Sequence, residues 1–91
     1  MSVVERIRAQ LASLDPRSLE IVDDSARHAG HAGARDGGGH YRLRIVADCF
    51  SGLSAMRRHR MVYDALGLLM RREIHALSID AQAPDESSAT H

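Results

Sequence analysis

The chain has no lysine, no tryptophan and a single cysteine, and only 3% of its residues are aromatic. Each shortage excludes something. One thiol, Cys49, rules out an internal disulfide and any CxxC metal knuckle, which fits a reducing compartment, and a thiolate-rich site would have to take sulfur from a partner. So few aromatics call for an aliphatic core filled out with methionine. No apolar stretch reaches the roughly 18 residues a membrane span needs, and the opening MSVVERIRAQL lacks the apolar run of a signal peptide, so a cytoplasmic protein without membrane contact is expected. The 12 basic residues are all arginine and are balanced by 12 acidic ones, leaving no global field to draw the surface toward phosphates. A P-loop, a GxSxG elbow and a dinucleotide fingerprint are all missing, so an enzyme is not expected.

What is present suits one small domain. The 91 residues are 44% hydrophobic and 26% charged, ordinary values for a globular chain. Val3, Val4, Ile7, Leu11 and Leu14 recur at helical spacing until Asp15-Pro16 closes the pattern. Leu19 to Asp23 reads as a short strand. His40 to Ala47 reads as a second, with Tyr41, Leu43, Ile45 and Ala47 on one face and His40, Arg42, Arg44 and Val46 on the other. Met56, Val62, Tyr63, Leu66, Leu69 and Met70 predict one long amphipathic helix capped by Ser54 and ending near Arg71-Arg72. Ile74 to Ala81 predicts a third strand in which His75 shares parity with Leu77 and Ile79. The order is α-β-β-α-β, an α+β fold. The intervening helix lets the second and third strands run parallel while the first two are antiparallel, a three-stranded mixed sheet with both helices on one face. The domain is expected over residues 1–83, with 84–91 as a flexible polar tail.

Residues 24–39 form a connection far longer than an ordinary hairpin turn, and such loops are usually functional or disordered. From His28 to Ile45 the chain holds three of its six histidines and five of its seven glycines. His28 and His31 form an HxxH pair, a weak metal signal by itself. His75 is either a satisfied core residue or sits at a rim, exposed for use. One loop histidine and a rim His75 would supply two nitrogen ligands to one iron or zinc. Cys49 shares the apolar parity of the second strand and reads as a buried small hydrophobe. Arg57-Arg58-His59-Arg60 is a compact basic cluster that could contact phosphates, although Arg60 could equally pair with Asp64 one turn on.

Three stretches, DSARHAGH at 24–31, FSGLSAMRRHRMVYDAL at 50–66 and IHALSIDAQAPDE at 74–86, together resemble the BolA family, over nearly the whole of Leu19 to Glu86. The resemblance implies a fold similar to the type II KH domain. It also implies a heterodimer with a monothiol glutaredoxin, apo or bridged by a [2Fe-2S] cluster, and a role in cluster assembly, trafficking and iron homeostasis. The family's ligands are the histidine that begins the last strand, here His75, and a His or Cys in the loop between the first two strands. Here that position falls to His28 or His31, with His28 favoured by counting on from Asp24-Ser25 and His40 a weaker third choice. The other two ligands would be the glutaredoxin cysteine and the thiol of its glutathione, leaving two imidazoles on one iron, which raises the reduction potential. Imidazoles must be neutral to ligate, so mild acidification should release the cluster. A second function is carried by the same likeness, since some bacterial members are transcription factors. A DNA-binding regulator would use Arg57, Arg58, Arg60, Arg42 and Arg44, yet the phosphate-gripping GxxG loop of KH domains is missing.

Overall fold

The computed structural model describes residues 2–25 and 39–89, with side chains through Glu86. The chain begins with helix α1, Val3–Leu11, whose N-terminus is closed by Ser2: its hydroxyl oxygen accepts from the Glu5 amide at 3.1 Å. Ile7 and Leu11 are fully buried, one turn apart on the face turned inward. A single 3-10 turn comes next, Ala12–Leu14, and the chain then reverses through Asp15, whose φ of 51° is one that short polar side chains tolerate.

Strand β1, Ser18–Asp23, pairs antiparallel with β2, Gly39–Val46, in a register running from Ser18 opposite Val46 to Asp23 opposite Tyr41. The central strand β2 pairs parallel with β3, Ile74–Gln82, giving the order β1-β2-β3. The mixed sheet is the one expected, and the parallel pairing is possible because a helix makes the crossover. Alternation along β2 sends Tyr41, Leu43 and Ile45 into the core, where they meet Ile7, Leu11, Phe50, Val62, Leu66 and Ile74. Helix α1 packs on β1 and on the crossover helix, which in turn packs on β3. The opposite sheet face is open and carries Glu20, Val22, Arg42, Arg44, Ser78 and Asp80. Val46 belongs to that face by parity yet is buried at the strand's end, between its register partners Ser18 and Gln82.

Four local expectations are corrected. The long helix is two pieces, α2 at Ala55–Leu66 and a single turn α3 at Leu69–Arg72, because Gly67 adopts a φ of 55° and ends the first. Met56 and Tyr63 are not core residues: they are 73% and 41% exposed, and the buried stripe of α2 runs instead through Val62 and Leu66. Cys49 is exposed, because the strand stops at Val46 and a 3-10 turn, Asp48–Phe50, breaks the alternation and buries Phe50 in its place. Finally, residues 84–89 are not a frayed tail but a short helix α4, Pro84–Ala89. Proline suits a first helical position, and the Glu86 carboxylate accepts from the Ala83 amide at 3.2 Å to close the turn.

Helix α4 is also tied to α2. The Arg58 guanidinium donates to both carboxylate oxygens of Glu86 at 2.5 and 2.7 Å, and to the carbonyl oxygens of Leu53 and Ala81 at 3.0 Å each. The Arg58 side chain keeps only 11% of its surface exposed, while that of Glu86 keeps 43%. Hydrogen bonding from Arg58 lowers the Glu86 carboxyl to about 2. Arg6 pairs with Glu73 and so ties α1 to the residue that leads into β3.

Candidate metal centre

The N-terminal end of β2 and the N-terminal end of β3 lie side by side, and a β-bulge sits there. Gly39 is opposite Ile74, but His40 is opposite Ala76, so His75 is the extra residue. An inserted residue reverses the facing of every residue after it. Ile74 can therefore point into the core at 4% exposure while Leu77 and Ile79, out of phase with it, also face inward. His75, which shares parity with Leu77, is expelled from that face and is exposed. Of the two readings open for this histidine, the rim position is the one observed.

The bulge brings His75 to His40. Their ring centres are 5.2 Å apart with planes tilted by 50°. The His40 backbone is held on both sides: its amide donates to Ser25 Oγ at 3.1 Å and its carbonyl oxygen accepts from the Asp24 amide at 2.7 Å. Asp23 Oδ1 accepts from the Ser25 amide at 2.9 Å, and Asp24 pairs with Arg42 at 2.7 Å. Below them the Tyr41 ring covers Gly39 so closely that an added Cβ would collide with it. Burial, helped by the charge of Asp23, raises the Tyr41 phenol above its ordinary value, while a hydrogen bond with Ser25 pulls the other way. The phenol therefore stays protonated. Both ends of the 24–39 connection are thus anchored beside the histidine pair.

His28 and His31 lie outside the described residues. Among the described residues no group of three or more His, Cys, Asp or Glu side chains forms a ready cage for a metal ion. Two adjacent imidazoles are what the rim offers, so a group that also takes ligands from elsewhere fits it. Cys49 lies beyond the other end of β2, the length of the strand away, with its sulfur 3.8 Å from the Leu14 carbonyl oxygen. Although the residue is exposed, partial desolvation of its sulfur, with the Asp48 and Asp15 charges, pushes its thiol above the ordinary range, the opposite of an activated nucleophile.

The five arginines of the DNA reading do not converge. Arg57 and Arg60 are exposed on α2, and among the described residues Arg60 makes no ion pair with Asp64. Arg58 is turned inward onto Glu86 and two carbonyls. Arg42 and Arg44 occupy the open sheet face, paired with Asp24 and Asp80. No described helix is long and apolar enough to cross a membrane. The bulge, and the contact it makes between His40 and His75, escapes a reading of strand parity alone. One signal was available: Ile74 is out of phase with Leu77, Ile79 and Ala81, and both sets reach the core only if a residue is inserted between them.

Residues 11–86 match the family model described as BolA-like protein. The chain is 48% identical over 87 residues to SufE-like protein 1, chloroplastic/mitochondrial, of Arabidopsis thaliana, covering 89% of this chain and 24% of that one. It is 38% identical over 80 residues to the DNA-binding transcriptional regulator BolA of Escherichia coli (strain K12), covering 87% and 73%. Among solved structures it is similar to the BolA domain of SufE1 from Arabidopsis thaliana, with a TM-score of 0.81, 46% identity and coverage of 94% and 96%. The chain thus spans about a quarter of the length of the plant SufE-like protein and matches its BolA domain throughout.

Proposed function

The chain belongs to the BolA family, and from that premise we propose that it is a non-enzymatic accessory protein of iron-sulfur cluster assembly and trafficking and of iron homeostasis. It binds a monothiol glutaredoxin in a reducing compartment, the cytoplasm, and shares a bridged [2Fe-2S] cluster with it. The supporting observation is the exposed His75, lifted out of the core by the bulge and set at a rim beside the anchored ends of the 24–39 connection. The family pattern pairs His75 with a loop histidine, His28 or His31. When bound, the cluster supplies redox and transfer chemistry that no side chain here possesses. The chain's own part is to present two neutral imidazoles to one iron, while the partner's cysteine and glutathione provide the two thiolates this chain lacks.

Titration of a [2Fe-2S]-loaded monothiol glutaredoxin with this protein, followed by visible circular dichroism, tests the proposal. A new spectrum saturating at one to one is expected for the wild type, and none for His75→Ala. An unchanged spectrum with the wild type overturns it.

A second reading, DNA-binding regulation, draws on the name of the bacterial relative and on one surface observation. Exposed Tyr63, Arg57 and Arg60 line the outward side of α2, where arginines would neutralise phosphates and a tyrosine would pack on sugar or base. Its signature is salt-dependent binding to duplex DNA that survives His75→Ala and is lost when Arg57 and Arg60 are both changed to Ala.

A further inference from the structure

Helix α2 buries Val62 and Leu66, and its outward side carries apolar residues that gain nothing from standing in water. Among the described residues four large hydrophobic side chains are exposed, and three of them, Met56, Tyr63 and Leu68, follow one another along α2 and the corner that ends it. Leu68 is 62% exposed just after Gly67, whose φ of 55° breaks the helix. Tyr63 stands between two open hollows and lines both. One, of about 380 Å³, reaches Met56 and His59, and the other, of about 760 Å³, reaches Gly67, Leu68 and Met70. A single exposed apolar residue is ordinary, but a row of them beside connected hollows marks an interaction surface. The charges around the row are nearly all of one sign. Arg57, Arg60 and Arg71 are exposed and make no ion pair among the described residues, and Asp64 is the only acid between Ala55 and Arg72.

We propose that this face docks an acidic amphipathic helix of a partner protein, its apolar side laid over Met56, Tyr63 and Leu68 and its carboxylates set against Arg57, Arg60 and Arg71. The sign of the rim selects an acidic partner, and the spacing selects a helix. Met56 and Tyr63 are two turns apart, about 10 Å along the axis, which is the separation of residues i and i+7 on a helix lying alongside. The residue types agree, since methionine, tyrosine and arginine are enriched in interfaces and methionine adapts its shape to what it meets. The same face serves the DNA reading, and the two partners make different demands on it. Duplex DNA would use the arginines and the tyrosine but leave Met56 and Leu68 in water, and Arg58, turned inward, adds nothing to the charge. A helix covers all three apolar side chains. A stripe this short buries less than a standard interface, so a transient association is expected. The inference does not depend on the cluster reading, because His75 takes no part in the row.

The probe is a phage-displayed library of random peptides of about 16 residues, roughly 24 Å long as helices. It is selected on the wild-type protein at physiological salt and counter-selected on a double variant, Met56→Ser with Leu68→Ser, whose fold is checked by far-ultraviolet circular dichroism. The enriched peptides should carry Leu, Ile, Phe or Met at i, i+3 or i+4, and i+7, with Asp and Glu on the flanks. One of them, made synthetically, should shift the amide resonances of α2 and of Leu68 to Arg71 in heteronuclear magnetic resonance, and bind wild type and His75→Ala alike by fluorescence anisotropy. Met56→Ser with Leu68→Ser, and separately Arg60→Glu with Arg71→Glu, should each weaken it at least about tenfold. A short DNA duplex should not displace it. Enrichment of basic or aperiodic peptides, no enrichment at all, or shifts that lie away from α2 overturn the proposal. Displacement by the duplex, with the serine variant binding as wild type does, overturns it in favour of the DNA reading.

Discussion

Replacing Arg58 with alanine separates a structural arginine from a nucleic-acid contact. In the fold, its guanidinium supplies a hydrogen bond to the Leu53 carbonyl and another to the Ala81 carbonyl, both at 3.0 Å, with 11% of the side chain exposed. Losing a charged donor from a half-buried acceptor costs about 1–1.5 kcal/mol for each bond. The pair with Glu86 is open to water on the carboxylate side, where solvent screening leaves it little net weight. Alanine recovers a few tenths of a kcal/mol in helix propensity. The sum is a destabilisation of about 2–3 kcal/mol. In a domain of this size that corresponds to a fall in Tm of roughly 10–20 °C. Urea and thermal unfolding followed by far-ultraviolet circular dichroism measure it, with Arg57→Ala, exposed on the same helix, as the comparison expected within about 0.5 kcal/mol of wild type. If the two variants were equally mild, Arg58 would be a surface arginine like its neighbour, and the docking of α4 onto α2 would be wrong.

The same set of contacts yields three more expected outcomes. The Glu86 carboxyl, lowered from an ordinary 4.5 to about 2 by Arg58, favours the folded state above pH 4.5, and that contribution is lost as pH falls through about 2. Glu86→Gln should therefore lessen the pH dependence of urea unfolding between those values only slightly, as screening of this exposed carboxylate requires, and a steeper dependence than wild type would refute the pairing. Gly39→Ala should destabilise by about 1–3 kcal/mol through collision with the Tyr41 ring, and combination with Tyr41→Leu should recover part of the loss; full additivity in the double variant would show that the two residues do not touch. Cys49, although exposed, should alkylate at neutral pH more slowly than a free thiol, because partial desolvation of its sulfur and the nearby Asp48 and Asp15 charges raise it, and Cys49→Ser should leave stability within about 0.5 kcal/mol; fast labelling at pH 7 would contradict its surroundings.

The amino-acid sequence by itself determined the element order, the parallel and antiparallel pairings and the inward face of β2. Each depends on local periodicity and on the length of the crossover, both of which survive whatever the rest of the chain does. It also left His75 open as either a satisfied core residue or one exposed at a rim. Only the tertiary structure decided what surrounds it. A bulge depends on how β3 must meet β2 so that Ile74 and Leu77 both reach one core, and strand parity read along β3 alone placed His75 on the wrong face. The fates of Arg58, Met56 and Tyr63 turned on which side of α2 the sheet covers. A periodicity of 3.6 leaves that choice open when methionine, tyrosine and a long arginine stem can each border a core. Pro84 to Glu86 looked like a tail because their helix is too short to show a period, and it forms where Arg58 gives Glu86 a partner 28 residues away in sequence. The contact between His40 and His75 belongs to the same class: two strand ends placed next to each other by a parallel crossover, a juxtaposition that exists only once the sheet has formed.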